Sequence, residues 1–189
     1  MIRICKAHTK AHLEGILDLQ SKNLREVLSD EVQKEQGFLT VRHDCKVLEE
    51  MNNRLNHIIA LDGEEVVGYA LSMTPDLKDR IPVLEEMFER INNLEYKGSN
   101  LGKSNYYIMG QICIAEKYRG TGLFYALYNE HRKYYSPYFD HFITEVSASN
   151  QRSLRAHEKT GFKTILNYYD QTDSWYLILW DWNDQNETS

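Results

Sequence analysis

Hydrophobic residues recur along the first half of the chain at two spacings, and each spacing predicts a type of secondary structure. Apolar and polar residues alternate at the start, which is typical of a short strand, and Thr9 then offers a cap for a helix. Asp62-Gly63 lies between two strand-like runs and supplies the dihedral angles of a tight hairpin turn. The elements expected in this half are a strand at 2–5, helices from Thr9 to about residue 19, at 24–34 and at 43–54, strands at 57–61 and 65–73, and an amphipathic helix at 76–93.

The second half of the chain alternates strands and helices more regularly. The elements expected there are strands at 108–114, 142–146, 162–169 and 175–180, a helix ending at Tyr135, and a helix at 151–159. Such alternation predicts a mixed β-sheet flanked by helices. Because no Pro/Gly-rich linker or internal repeat interrupts the pattern, we expect a single domain over residues 1–183, followed by a flexible tail at 184–189.

Composition and charge restrict the cell compartment and the classes of partner that we expect for this protein. Of the 189 residues 42% are hydrophobic, the net charge is -6, and no basic run is longer than Arg132-Lys133, so a nucleic-acid partner is not expected. Cys5, Cys45 and Cys113 lack the spacing of a disulfide framework or a zinc site, which favours a reducing compartment. No stretch has the length of a membrane span and the start lacks a signal-peptide pattern, so we expect a cytoplasmic protein with no membrane partner.

A glycine-containing turn, Arg119 to Gly122, lies between a predicted strand and a predicted helix. At such a place backbone N–H groups converge and the helix dipole adds partial positive charge, so the turn suits a pyrophosphate. Gly-x-Gly alone also occurs in turns that bind nothing. A dinucleotide fingerprint would need a third glycine, and a P-loop would need Gly-Lys-Ser or Gly-Lys-Thr, and neither is present.

The residues around this turn resemble those of a known family. Arg119 to Phe124 is similar to motif A of the GNAT N-acetyltransferases, Q/R-x-x-G-x-G/A, with Phe124 where the family has Gly or Ala. Asn150 to Phe162 resembles the family's N-x-x-A-x-x-x-Y-E-K-x-G-F segment, at the expected distance. The resemblance implies an α/β (α+β) GNAT fold, whose central sheet of about seven strands is mixed, mostly antiparallel and splayed in the middle, with helices on both faces. Residues 76–104 would then be a variable helical insertion.

The resemblance also implies acetyl-CoA as the acyl donor substrate. In the family the pantetheine arm pairs with the splayed central strand, and a backbone N–H near Ile112 would polarise the thioester carbonyl. Asn150 is expected to contact a pantetheine amide, although it is also placed to cap a helix. The residues expected to bind acetyl-CoA are Ile112, Cys113, Ile114, Arg119, Gly120, Thr121, Gly122, Leu123, Phe124, Tyr125 and Asn150.

Two residues are candidates for proton transfer. An amine attacks only when neutral, so a base must first deprotonate the ammonium. Glu145 is the candidate for the base, because its segment is similar to the one that carries the base in ribosomal-protein alanine N-acetyltransferases. The alternatives are that Glu145 is only a surface carboxylate, or that Glu116 is the base.

His157 is the candidate for the acid, because it stands where the family has a Tyr acid, and it either protonates the departing thiolate or is structural. Three tyrosines could substitute for it: Tyr125, Tyr168 and Tyr169.

The sequence therefore predicts an acetyl-CoA-dependent N-acetyltransferase that transfers the acetyl group directly to a primary amine. The acceptor is either a small amine, polyamines and aminoglycosides included, or a peptide N-terminus, which Asn167 to Tyr169 favours by its similarity to the ribosomal-protein enzymes. Homodimers are common in the superfamily. The alternative is a non-catalytic acyl-CoA-binding or regulatory module, because Phe124 and His157 stand where the family usually has Gly or Ala and Tyr, respectively. No metal site is expected, because His8 and His12 lack a third ligand.

Overall fold

The computed structural model describes residues 1–171 and 173–184. Apart from Asp184, the tail predicted at 184–189 lies outside these residues. The helices are α1 (Lys10–Ser21), α2 (Asp30–Gln36), α3 (Cys45–Arg54), α4 (Glu85–Asn93), α5 (Leu123–Tyr135) and α6 (Gln151–Thr160). The strands are β1 (Ile2–Lys6), β2 (Ile58–Asp62), β3 (Glu65–Met73), β4 (Glu95–Tyr96), β5 (Ser99–Asn100), β6 (Tyr106–Ile114), β7 (His141–Ser147), β8 (Lys163–Tyr169) and β9 (Ser174–Asp181).

Seven strands form one sheet in the order β1-β2-β3-β6-β7-β9-β8. Neighbouring strands are antiparallel throughout, except for the parallel pair β6 and β7. The hairpin between β2 and β3 turns at the predicted dipeptide, where Gly63 has a φ of 61° that other residues rarely adopt. The mixed, mostly antiparallel seven-stranded sheet expected from the sequence is therefore confirmed.

The parallel pair separates along its length. β6 and β7 are paired only from Tyr106 to Ile108, although both strands continue beyond that point. The hydroxyl of Thr144 donates to the Met109 carbonyl at 2.9 Å, just where the backbone pairing ends. Beyond Met109 the backbone groups of β6 that face β7 have no strand partner among the described residues, since the other side of β6 pairs with β3. The splay expected in the middle of the sheet is present.

Helices cover both faces of the sheet and enclose a core on each. Helices α1, α3 and α4 contribute buried residues to one core, while α5 and α6 contribute to the other. The second core is rich in aromatic rings, among them Tyr107 and Phe142, which stack with centroids 4.2 Å apart. This packing fixes α5 and α6 against the two strands that separate, so the start of each helix lies beside the gap.

Two helices differ from the expectation. The predicted helix at 76–93 is helical only in α4, and short 3-10 turns replace its first half because Pro82 cannot continue an α-helix. The helix expected at 24–34 begins instead at Asp30, where the Ser29 side chain accepts from the backbone N–H of Val32. None of the described helices is both long and apolar enough to cross a membrane.

Candidate active site

The start of α5 exposes a set of unused hydrogen-bond donors. Gly120 and Gly122 have φ values of 76° and 86°, and among the described residues no atom beyond the adjacent ones in the chain lies within 4 Å of where a side chain would start at either. Among the described residues, nothing accepts from the backbone N–H groups of residues 120–125. Because the helix dipole also adds positive potential there, the turn is built to hold an anion.

Four cationic side chains line a cavity of about 430 Å³ in front of this turn: Arg119, Arg152, Arg155 and Lys159. Arg119 donates to three neutral groups, the Ile114 carbonyl and the side-chain oxygens of Gln36 and Asn23. None of the four cations is paired with a carboxylate in the described part of the chain. This first cavity therefore carries a concentrated, uncompensated positive charge within an acidic protein.

The end of α2 and the residues after it form a roof over the first cavity. Arg119 donates to the Gln36 side chain at 3.1 Å, Arg152 to the Glu35 carbonyl at 2.6 Å, and Asn150 to the Phe38 carbonyl at 3.1 Å. Gly37 is required in this roof, since it has a φ of 75° and a Cβ there would lie 2.9 Å from the Asn150 amide oxygen. The roof thus forms one wall of the cavity and is held to the turn before α5 and to the start of α6.

Most of the residues predicted to bind acetyl-CoA line the first cavity. They are Ile112, Cys113, Ile114, Arg119, Gly120, Gly122, Leu123, Phe124 and Asn150. Thr121 and Tyr125 do not line it, because the Thr121 hydroxyl bonds to the Tyr118 carbonyl and the Tyr125 ring is 52% exposed. Their side chains therefore lie outside the cavity wall, whereas their backbone N–H groups are among the free donors at the start of α5, and their predicted part in binding acetyl-CoA stays a prediction for these backbone groups.

A narrow passage of about 70 Å³ lies in the gap between β6 and β7. Its walls share Ile112 and Asn150 with the first cavity. They share Glu145 and Trp175 with a second cavity of about 370 Å³. The gap in the sheet therefore joins two separate cavities, and Glu145 is at the junction.

Glu145 lies on β7, where its carboxylate accepts a hydrogen bond from the Tyr168 hydroxyl of β8. Burial raises the pKa of Glu145 to about 7, while the bond from Tyr168 acts in the opposite direction. No ion pair with Lys or Arg forms here among the described residues, so the surface-carboxylate alternative does not fit. A carboxyl with such a pKa can take up and release a proton near neutral pH. Glu116, by contrast, is exposed and lines none of these cavities.

His157 lines the passage but is fully engaged in the core, with 1% of its surface exposed. Its Nδ1 is 2.8 Å from the Ser153 carbonyl, which can only accept, so Nδ1 carries the proton. Its Nε2 then accepts from the Tyr128 hydroxyl at 2.6 Å, and burial lowers the pKa of the ring to about 4. A neutral imidazole whose Nε2 carries no proton has none to give to a thiolate there, so this geometry favours the structural alternative that the sequence left open for His157.

Asn150 and Phe124 both have structural contacts in addition to their place on the cavity wall. The Asn150 side chain caps α6 by accepting from the Ser153 backbone N–H. Phe124 packs with its ring centroid 5.1 Å from those of both Tyr128 and His157. Its bulk is therefore directed towards α6, and the backbone at this position stays accessible from the cavity.

Several site residues were not found from the sequence. Arg152, Arg155 and Lys159 follow a spacing of three and four residues, which places them on one helix face, and this signal could have revealed them. The roof residues from Gln36 to Leu39 carried no such signal, because their role depends on contacts with residues more than 80 positions away.

A splayed sheet with an anion-binding helix start and a half-buried carboxyl at the gap defines an acyltransferase of the acyl-CoA-dependent class. The sequence profile of the Acetyltransferase (GNAT) family matches residues 13–162. The chain belongs to this family, which confirms both the predicted enzyme class, with acetyl-CoA as its acyl donor, and the resemblance seen in the motifs. No curated protein matches the chain in sequence.

Solved structures of acetyltransferases share the fold over the whole chain. The ribosomal-protein-S18-alanine N-acetyltransferase from Escherichia coli is 13% identical with a TM-score of 0.64, and the match covers 100% of this chain and 99% of that one. NAA60 from Arabidopsis thaliana, in complex with acetyl-CoA, is 17% identical with a TM-score of 0.63, covering 96% and 99%. A GNAT-family acetyltransferase from Streptococcus agalactiae is 14% identical with a TM-score of 0.65, covering 95% of each chain.

Proposed function

We propose that this protein transfers the acetyl group of acetyl-CoA directly to a primary amine, with Glu145 as the base. The observation that carries the proposal is the position of Glu145, which lies where a cationic cavity and a separate second cavity meet through the gap between β6 and β7. Donor and acceptor can thus approach through two different cavities and react at one point.

The first cavity fits the donor. Its free backbone N–H groups at residues 120–125 suit the pyrophosphate, and the side chains of Arg155 and Lys159 add charge for the remaining phosphate. The unpaired edge of β6 beyond Met109 would hold the pantetheine arm, and a backbone N–H near Ile112 would stabilise negative charge on the thioester oxygen. The donor supplies an activated acyl group, and these residues orient it towards the passage.

Glu145 would prepare the acceptor. An ammonium loses two protons on becoming an amide; one ends on the sulfur of CoA and the other leaves to solvent. A carboxyl with a pKa of about 7 can accept the first of these from an amine in the second cavity. Cys113 does not compete as a nucleophile, because burial raises the pKa of its thiol to about 12. Transfer is therefore direct and passes through no acyl-cysteine.

Both acceptor classes expected from the sequence, a small amine and a peptide N-terminus, are compatible with this arrangement. The Escherichia coli and Arabidopsis neighbours fold alike at under 20% identity and do not decide between them. A cytoplasmic location and a homodimer stay predictions.

The proposal is tested by incubating the protein with acetyl-CoA and a mixed library of amines and peptides. We expect saturable acetyl-CoA binding in calorimetry, amine-dependent release of free thiol, and an N-acetylated product identified by mass spectrometry. Saturable binding without any thiol release would identify the non-catalytic acyl-CoA-binding module instead. Absence of acetyl-CoA binding at submillimolar concentration would contradict both.

A further inference from the structure

The wall of the second cavity is mostly apolar. Five of its side chains are hydrophobic: Leu24, Leu39, Val41, Val83 and Trp175. Leu24, Leu39 and Trp175 are buried and Val41 is half-buried, whereas Val83 is 48% exposed and lies in a 3-10 turn just before α4. The body of a ligand that reaches Glu145 through this cavity must therefore pass along hydrocarbon.

Two of the three carboxylates on this wall are already neutralised. Asp173 pairs with Arg25 at 3.1 Å and also accepts from the Ser147 hydroxyl at 2.7 Å. Glu26 pairs with Arg42 at 2.5 Å. These pairs hold equal numbers of positive and negative groups, so they present no net charge to a ligand. Of the carboxylates on the described wall, Glu145 alone has no arginine partner.

We infer that the acceptor is a primary amine with an apolar body and no second cation near it, and that Val83 helps to select it. The inference rests on the proposed function and specifies its substrate class. Glu145 can receive one ammonium, and a second ammonium on the same molecule would lie along the apolar part of the wall, where the described residues offer it no free carboxylate. Monoamines and peptides with an apolar first residue fit this wall, whereas polyamines and aminoglycosides do not.

Val83 belongs to the segment 76–104, which the sequence predicts to be a variable insertion. Its position makes a charge test possible: it is partly exposed, it lines the second cavity, and it makes no hydrogen bond with its side chain. A carboxylate introduced here would give a second ammonium a partner within the cavity without removing a buried core residue. Val83→Asp is therefore expected to change the choice of amine and to leave donor binding as it is.

The experiment compares two matched pairs of acceptors by acetyl-CoA-dependent thiol release. One pair is hexylamine and the diamine of the same length, in which an ammonium replaces the terminal methyl group; the other is norleucine amide and lysine amide. For at least one pair we expect kcat/KM of the native protein to favour the apolar member by about tenfold or more, since an ammonium that loses water against an apolar wall and finds no carboxylate partner is costly. We expect Val83→Asp to reduce or reverse this ratio.

Val32→Asp is the matched control, because Val32 is a 38% exposed valine that lines none of the three cavities of the site. It should leave the ratio at the native value. Native preference for the diamine and for lysine amide, or a ratio that Val83→Asp does not move, would overturn the inference while leaving acetyl transfer intact. Acetyl-CoA binding with no thiol release from any of the four amines would overturn the proposed function and the inference with it.

Discussion

A carboxyl beside the gap between two β-strands can act as a general base only if its pKa lies near the pH at which the enzyme works. Glu145 gains that affinity from burial, which raises its pKa to about 7, and Tyr168 moderates the rise by donating to the carboxylate. The Tyr168 ring in turn lies 5.5 Å from the guanidinium carbon of Arg90 on α4. The chemistry at this residue therefore depends on side chains from three separate elements.

The pH profile of kcat/KM should report Glu145. The base is active when ionised, so we expect the rate to fall tenfold per pH unit below about 7 and to level off above it, until other groups titrate. Tyr168→Phe removes a hydrogen bond that favours the ionised form, so the acid limb should move to higher pH by about one unit. Tyr169→Phe, at a 78% exposed neighbour, should leave the limb in place, and an equal shift in both variants would count against this account.

His157 should behave as a structural residue. His157→Phe leaves the Tyr128 hydroxyl without its acceptor, so we expect the free energy of unfolding to fall by about 1–3 kcal/mol in urea titrations. Adding Tyr128→Phe should recover part of the loss, because both partners are then apolar. The pH profile of kcat/KM should keep its native shape. Unchanged stability together with loss of turnover would restore the acid role predicted from the sequence.

Single residues were predictable to the extent that local patterns define them. Asn150 as a helix cap and the glycines of the turn follow from neighbours in the sequence. Glu145 was found by resemblance, but its raised pKa depends on burial that no local pattern shows. The state of His157 depends on Tyr128, which is 29 positions away, so the sequence left its role open.

At the scale of elements, the site forms where β6 and β7 separate and where α5 and α6 begin beside the resulting gap. α5 contributes backbone donors and α6 contributes three cations on one face. The separation of β6 and β7 after Ile108 creates the space between them. Each of these elements is favoured by its own local sequence pattern, but the cavity forms only where the strands and helices pack together.

The cations of α6 should bind the phosphates of the donor. The double variant Arg155→Gln/Lys159→Gln is expected to raise the Kd for acetyl-CoA by about tenfold or more, since charge-assisted contacts to phosphate are lost. Calorimetry with acetyl-CoA measures this. Lys133→Gln on α5, which removes a cation paired with Glu130 outside the cavity, is the control and should have no effect. Weakened binding of acetyl-pantetheine, which lacks these phosphates, would contradict the assignment.

The order and type of most elements followed from hydrophobic spacing, including the hairpin at Asp62-Gly63 and the alternation after Tyr106. Boundaries failed where a cap or a proline had more influence than hydrophobic spacing, as at Ser29 and Pro82. The sheet order and the roof after α2 could not be derived from spacing, because both depend on contacts between distant parts of the chain.

At the scale of the whole molecule, the sheet divides the protein into two cores, and the first cavity opens between elements of both. Residues from the first forty positions reach it through the roof, while three of its four cations come from α6, within the last forty of the described residues. A ligand in the first cavity therefore contacts parts of the molecule that are far apart in sequence.

Acetyl-CoA should stabilise the folded protein. At a concentration one hundred times its Kd, we expect about 2.7 kcal/mol of added stability, which corresponds to a rise in Tm of roughly 5–10 °C for a chain of this size. Thermal unfolding with and without the donor measures the shift. Because residues 35–38 belong to the roof over the donor cavity, we also expect slower backbone hydrogen exchange at these residues when the donor is bound. A rise in Tm without protection of these residues would place the donor elsewhere.

The central claim is that acetyl transfer occurs at the junction of the two cavities, with Glu145 as base, and a pair of matched variants tests it most directly. In Glu145→Gln we predict that kcat/KM for amine-dependent thiol release falls by about 10²- to 10⁴-fold while the Kd for acetyl-CoA is unchanged. Glu116→Gln, at the exposed glutamate outside the cavities, should change neither quantity. Native turnover in Glu145→Gln, or an equal loss in Glu116→Gln, would contradict the claim.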